Sequence, residues 1–178
     1  MKTIITSIQR GAKVNHSLLK NMLAFAERHG VEKISAFVMD GKNIDDTEID
    51  NIIFDSNIEL IVSSKTGTAL NSNLKVYDTM IKASQINPLT GFNKKLSRDH
   101  SYILPSPKIR YLSIPNTSKL PRFLLTTGSL THGNYKLHTA QGRKANLEHQ
   151  YGFVFVEIKN NKRFEIHQVE AMGNGKFN

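Results

Sequence analysis

The chain has 178 residues, of which 39% are hydrophobic and 22% are charged, a composition typical of a folded globular protein. It contains no cysteine, which excludes disulfides, thiolate nucleophiles and zinc–thiolate sites. No apolar run reaches the roughly 18 residues that a membrane span requires, and the apolar stretch after Lys2 is too short for a signal peptide. We therefore expect a single domain over 1–178 that resides in the cytoplasm and makes no membrane contact.

The charge is distributed unevenly along the chain. Residues 1–90 carry 10 Lys+Arg and 10 Asp+Glu, whereas residues 91–178 carry 14 Lys+Arg and 5 Asp+Glu. The 48 residues between Asp99 and Glu148 contain no carboxylate. A basic region without internal counter-ions attracts phosphates. The sequence therefore predicts a neutral lobe, a basic lobe and a partner that is nucleic acid or another polyanion. An acidic protein partner and a merely solubilising surface are the alternatives.

The N-terminal half shows the periodicities of alternating strands and helices. Asn15 is placed to cap a helix, the apolar spacing of Leu18, Leu19 and Met22 fits one helical face, and Gly30 is placed to end it. A β-α-β-α-β order with short links predicts a parallel sheet with right-handed crossovers. The predicted elements are, in chain order, a strand over 3–8, a helix over 16–29, a strand over 34–39, a helix over 45–54 and a strand over 58–62.

The pattern of the C-terminal half is mostly that of β-strands. Residues 63–73 are typical of a loop, and residues 74–84 fit a helix or a strand. Four of the five prolines fall between Asn87 and Lys119. The predicted extended segments are 102–104, 109–114, 123–127, 153–158 and 163–169, with a hairpin turn at 160–162. The fold class is therefore α/β, with a short parallel β-α-β N-terminal half that continues into a mostly β C-terminal half.

Candidate phosphate-binding residues lie in the basic half. A predicted buried strand ends in small hydroxyl residues and glycines over 126–134, and a basic segment predicted as a loop follows over 136–144. Backbone amides and hydroxyls suit phosphate oxygens, and a tyrosine can stack on a base. The predicted set is Lys108, Arg110, Arg122, Tyr135, Lys136, Arg143 and Lys144.

A second hypothesis is an enzyme that acts on a phosphoester or a nucleotide. Ligands gather at the carboxyl ends of parallel strands, which predicts a cleft near Ser7, His16 and Thr126–Gly128. The candidate catalytic residues are Ser7, Gln9, His16, Thr126, Thr127 and His149, and the hypothesis requires that they converge in space. The spacing of His132, His138 and His149 matches no metal motif, so we expect no metal and no cofactor.

Two stretches resemble a group of bacteriophage-encoded proteins. The first is Thr6-Ser7-Ile8-Gln9 followed by Val14-Asn15-His16, and Asn87-Pro88-Leu89-Thr90-Gly91 is also similar. The second is the run over 124–131, followed by Asn134-Tyr135, Thr139, Gly142, Lys144 and His149. In that group the region precedes a calcineurin-like metallophosphoesterase domain, in proteins linked to phage DNA handling and early infection.

The sequence lacks the metallophosphoesterase motifs of that group. It has no Asp-x-His opening, no Gly-Asp pair and no Gly-Asn-His-Glu. The resemblance therefore implies an accessory or decoy version of the phage module, or a truncated piece of a longer enzyme. Our leading hypothesis is a phage accessory protein, non-catalytic in isolation, that binds nucleic acid in the cytoplasm of an infected cell. An inhibitor of a host protein and a homo-oligomer are the remaining alternatives.

Overall fold

The computed structural model describes residues 1–39, 47–61, 63–116 and 120–177. Within these residues the chain forms two five-stranded sheets and four helices, and strand predominates. The predicted mixed α/β class is confirmed. Residues 45, 46 and 62, which the sequence places in a helix and a strand, lie outside the described residues.

The elements follow one another along the chain with short connections. The strands are β1 (Lys2–Gln9), β2 (Lys33–Met39), β3 (Ile58–Leu60), β4 (Thr68–Ala69), β5 (Leu74–Val76), β6 (Ser101–Leu104), β7 (Tyr111–Ile114), β8 (Arg122–Thr126), β9 (Tyr151–Ile158) and β10 (Phe164–Ala171). The helices are α1 (His16–His29), α2 (Thr47–Asp55), α3 (Phe92–Lys95) and α4 (Ala140–Leu147).

Helix α1 begins and ends where its sequence predicts. The side chain of Asn15 accepts a hydrogen bond from the amide of Leu18 at 3.0 Å, which satisfies one amide of the first turn. Gly30 ends the helix with a φ of 63°, in the left-handed region that glycine adopts without strain. The buried residues of α1 include Leu18 and Met22, which pack against residues of β1.

Strands from both ends of the chain form the first sheet, in the order β10-β9-β1-β2-β3. Strand β1 pairs in parallel with β2 and antiparallel with β9, and β2 pairs in parallel with β3. The second sheet has the order β4-β5-β6-β8-β7. Because β9 and β10 lie beside β1, the boundary between the sheets does not coincide with the change in charge near residue 90.

Alternating side chains of the strands separate the core into layers. In β1, Ile4 and Ile8 pack with α1 on one face, whereas Ile5 lies on the other face. There Ile5 shares a cluster with Ile103 and Leu125 of the second sheet. The far face of the second sheet is covered by the segment that contains α3. The two sheets therefore pack face to face, between helices on one side and an irregular segment on the other.

The structure differs from the sequence-based prediction in several places, including the short helix α3, which was not predicted. The predicted loop over 63–73 contains the two-residue strand β4, and only Leu74–Val76 of the ambiguous segment 74–84 is a strand. The basic segment over 136–144, predicted as a loop, is a loop only over 136–139, and residues 140–144 belong to α4. Thr139 caps this helix through the amide of Gly142 at 3.0 Å. The sequence did not predict this helix because Gly142 lies within it, and glycine disfavours helix interiors.

Candidate functional site

The carboxyl end of β1 meets the turn after β8. The hydroxyl oxygens of Ser7 and Thr127 are 2.6 Å apart, although Ser7 lies in the first sheet and Thr127 directly follows β8 of the second. The amide of Leu130 donates to the carbonyl of Ser7 at 2.9 Å, which fixes the following segment against β1. The convergence that the catalytic hypothesis requires is therefore present for Ser7 and Thr127.

The converging hydroxyls are not accessible to a substrate. Ser7, Thr126 and Thr127 each have an exposed fraction of 0%. The Thr126 hydroxyl donates to the carbonyl of Lys108 and accepts from the amide of Arg110, so its partners are backbone groups. A nucleophile must reach the atom that it attacks. The Ser7–Thr127 contact links the first sheet to the segment after β8, and the Thr126 hydroxyl holds the segment before β7, so these contacts are structural.

His149 continues this hydrogen-bond network towards the surface. The hydroxyl of Thr131 accepts a hydrogen bond from the amide of Gln9 at 3.1 Å, and the carbonyl of Thr131 accepts a hydrogen bond from Nε2 of His149 at 2.9 Å. Because Nε2 must carry the proton, Nδ1 accepts from the hydroxyl of Tyr135 at 2.8 Å. Burial lowers the pKa of His149 to about 4 and raises the pKa of Tyr135, so both side chains are neutral at pH 7.

His16 differs from the buried catalytic candidates in its solvent exposure. It is exposed at the first position of α1, whereas Ser7, Gln9, Thr126 and Thr127 are all buried.

Lys108 is a correction to the predicted phosphate-binding set. Its side chain is fully buried, and its ammonium donates to the carbonyl of Ala83 at 2.7 Å. The same ammonium lies 5.7 Å from the centre of the Tyr135 ring, a cation–π contact. Burial lowers the pKa of Lys108 to about 8. A phosphate in solution cannot reach this group.

Two arginines and the tyrosine of the predicted set are also engaged within the protein. Arg122 is buried and donates to the side chain of Asn73 at 3.2 Å. Arg110 pairs with Glu148 at 3.3 Å, so a phosphate would have to displace this carboxylate. The hydroxyl of Tyr135 is held by His149, as described above. Because of these contacts, Arg110, Arg122 and Tyr135 do not form a free phosphate-binding surface. Their positions in the sequence did not show which way their side chains face.

The remaining predicted cations lie on α4 and on the loop before it. Lys136, Arg143 and Lys144 are exposed, and α4 carries the last two of them. The guanidinium of Arg143 donates to the carbonyls of Leu137 and His138 at 3.2 and 3.3 Å, which holds the preceding loop against the helix. In the described part of the chain, no carboxylate forms an ion pair with these three cations. They form the α4 basic surface.

A cavity of about 670 Å³ opens beside the first turn of α4. Its lining includes the end of β1, the loop before α4 and a loop of the second sheet, and it consists of Gln9, Lys82, Ala83, Ser84, Asn134, Tyr135, Lys136, Thr139, Gln141 and Gly142. None of these lining residues is acidic. Polar and basic groups in a concave site of this size are suited to a small polar ligand.

The lining contains three of the predicted site residues, Gln9, Tyr135 and Lys136, but the sequence did not predict that they share a cavity. Sequence reasoning missed Lys82, Ala83 and Ser84, which come from a segment without a motif and which only the packing of the two sheets brings beside Gln9. Thr139 offered a local signal for the helix, since threonine is a favoured residue at the start of a helix.

A second cavity, of about 460 Å³, lies at the other end of β1. Its lining includes Ile5, Leu60 and Leu70 and contains none of the predicted site residues.

In the described residues, no three His, Cys, Asp or Glu side chains are grouped to hold a metal ion. No described helix combines the length and the apolarity needed to cross a bilayer.

The fold and the cavity define a mixed α/β protein with a basic site at the end of its central strand. The chain matches no model of a known family, no curated protein and no solved structure. The resemblance to the phage proteins stays a prediction.

Proposed function

We propose that the protein binds nucleic acid or another polyanion through the α4 basic surface. The observation that carries the proposal is the exposure of Lys136, Arg143 and Lys144 around one short helix, without a carboxylate partner in the described residues. Clustered, solvated cations bind phosphates by releasing counter-ions from the polyanion. This narrows the predicted set to three residues and adds Lys82, which is exposed at the nearby cavity.

In the part of the chain that the structure describes, no ion pair joins a cation of the C-terminal half to a carboxylate of the N-terminal half. The ion pairs there are each formed within one half, for example Lys33 with Glu59 and Lys159 with Glu157. Residues 91–178 carry an excess of nine positive charges, and an excess of this kind attracts polyanions. This charge distribution supports the proposal that the basic half binds a separate polyanion and is not paired with carboxylates of the same chain.

An electrophoretic mobility shift series with single-stranded and double-stranded DNA and RNA tests the proposal. We expect complexes at low salt and an affinity that falls as salt rises. Replacing Arg143→Gln together with Lys144→Gln removes up to two phosphate contacts. The slope of log affinity against log salt should then decrease by about 0.7 to 0.9 for each contact that is lost.

The chain offers a matched control for this variant. Lys162 and Arg163 are likewise an adjacent, exposed lysine and arginine, and they lie in the β9–β10 hairpin, at the end of the sheet opposite Gln9. Replacing both by glutamine makes the same change in charge and should leave the slope unchanged. Equal losses in both variants would show a diffuse charge effect, and no complex at low salt would refute the proposal.

The phage setting is part of the same proposal and is supported by the motifs of residues 6–16 and 124–149. In that setting the protein acts in the cytoplasm of an infected cell, as a non-catalytic accessory. Recovery of an acidic host protein from nuclease-treated lysate, with no nucleic-acid complex, would favour an inhibitor of a host factor instead.

A further inference from the structure

Gln9, one of the residues that line the cavity beside α4, has a buried polar atom that no described residue satisfies. Gln9 lines the cavity and is only 7% exposed. Its Nε2 donates to the carbonyl of Asn134 at 3.3 Å, which fixes the orientation of the amide. Its Oε1 has no hydrogen-bond partner among the described residues. A buried acceptor without a partner is destabilising, so a ligand that donates a hydrogen bond to it gains affinity.

Other lining residues of the cavity are suited to an anion. Lys82 and Lys136 line the cavity and are exposed. Gln141 belongs to the first turn of α4, where backbone amides precede the helical hydrogen bonds and the helix dipole is positive. Phosphate oxygens are favoured at such a position.

Together these lining residues suit a ligand that has both a phosphate and an N–H donor. The half-buried ring of Tyr135 also lines the cavity and offers an aromatic surface. A nucleotide has these features, since its base carries N–H donors and a planar face. The cavity volume of about 670 Å³ accommodates a ligand of this size.

We propose that this cavity is a mononucleotide site, in which Gln9 Oε1 accepts a hydrogen bond from the base and Lys82, Lys136 and the first turn of α4 hold the phosphate. The inference extends the proposed function, because it assigns one nucleotide of the polyanion to a built site. The occupant is a free nucleotide or the 5′-terminal nucleotide of a strand, and both present the same chemistry.

Isothermal titration calorimetry with the full chain tests the site. The ligands are the four ribonucleoside 5′-monophosphates, the corresponding nucleosides and inorganic phosphate. We expect at least one monophosphate to bind tenfold or more tightly than its nucleoside and than phosphate alone. Replacing Gln9→Met removes the acceptor at similar volume and should weaken that nucleotide about tenfold while leaving phosphate binding unchanged.

A second variant keeps the test decisive if Gln9→Met does not fold. Replacing the exposed pair Lys82→Gln and Lys136→Gln should weaken both the nucleotide and phosphate, and the Lys162→Gln, Arg163→Gln control should weaken neither. Nucleotides that bind no more tightly than phosphate would overturn the inference. So would a folded Gln9→Met variant with unchanged nucleotide affinity.

The outcome separates this inference from the proposed function. Long nucleic acid that binds while every mononucleotide fails would overturn the site alone, whereas the reverse result would overturn the polyanion surface alone. A 5′-phosphorylated oligonucleotide that competes with the mononucleotide, when its unphosphorylated form does not, assigns the site to the end of a strand.

Discussion

Lys108 and Lys136 belong to the same acid-free stretch, yet they meet different surroundings. Lys108 is enclosed between the carbonyl of Ala83 and the ring of Tyr135, whereas Lys136 is exposed one turn before α4. The long methylene chain of lysine tolerates both positions, since its stem packs well in an apolar interior. Net charge alone therefore does not show which cations a partner can contact, because burial decides this.

At the residue scale, His149 should make the stability of the protein depend on pH. Its pKa of about 4 in the folded state lies below the ordinary value of 6.5, so the unfolded chain takes up a proton first as the pH falls. The free energy of unfolding should be highest above pH 6.5 and should fall by up to about 3 kcal/mol between pH 6.5 and pH 4. Urea denaturation at a series of pH values measures this change.

Replacing His149→Gln provides the comparison, because glutamine does not titrate. The carboxylates titrate in both proteins, so the difference between the two curves isolates the histidine. An identical dependence on pH in the variant would contradict the assignment of a neutral, buried imidazole.

At the scale of a single element, α4 depends on an unusually close contact. A methyl group on Gly142 would lie 2.0 Å from the carbonyl oxygen of Lys136 and 2.9 Å from the hydroxyl of Thr139. Both groups belong to the loop that the helix cap holds in place, and a backbone oxygen cannot move away cheaply. Gly142 therefore disfavours the helix by its intrinsic propensity, but its lack of a side chain allows the loop to pack against the helix.

Replacing Gly142→Ala should lower the free energy of unfolding by about 1–3 kcal/mol. This sign is informative, because alanine ordinarily stabilises a helix by about 1 kcal/mol relative to glycine. Thermal or chemical denaturation measures the change. Asn146→Ala, at an exposed position of the same helix, is the control and should change stability by less than about 0.5 kcal/mol. A stabilised Gly142→Ala protein would show that the loop does not pack as described.

At the scale of the whole molecule, the two sheets are joined by a shared apolar layer and by the hydroxyl pair of Ser7 and Thr127. Ile5 and Phe37 of the first sheet pack with Leu125 of the second. Because neither sheet covers that face alone, we expect both sheets to unfold in one cooperative transition. This tests the predicted single domain over 1–178.

A double-mutant cycle over Ser7→Ala and Thr127→Val measures the contact between the sheets. Each change should destabilise the protein by about 1–2 kcal/mol, and the pair should fall short of the sum by about 0.5 kcal/mol or more. Thr68→Val is the control, since Thr68 is exposed in β4, and its effect should add to that of Ser7→Ala. Additive effects of Ser7→Ala and Thr127→Val would show that the hydroxyls do not interact.

Local patterns in the sequence determined the elements that depend on neighbouring residues. The start and end of α1 follow from Asn15 and Gly30, and the strong apolar runs gave the positions of β1, β2, β8 and β9. The absence of cysteine and the basic C-terminal half are also properties of the sequence alone. These features were predictable because capping, periodicity and charge act over a few residues or depend on composition.

Only the tertiary structure decided which predicted residues are accessible and which meet. The placement of β9 and β10 beside β1 depends on long-range pairing, which the local pattern of a strand does not encode. The same packing buries Lys108 and Ser7, leaves Lys136 exposed and brings Gln9 beside α4. Burial is a property of the assembled sheets, and residue type by itself therefore could not distinguish a structural cation or hydroxyl from one that contacts a ligand.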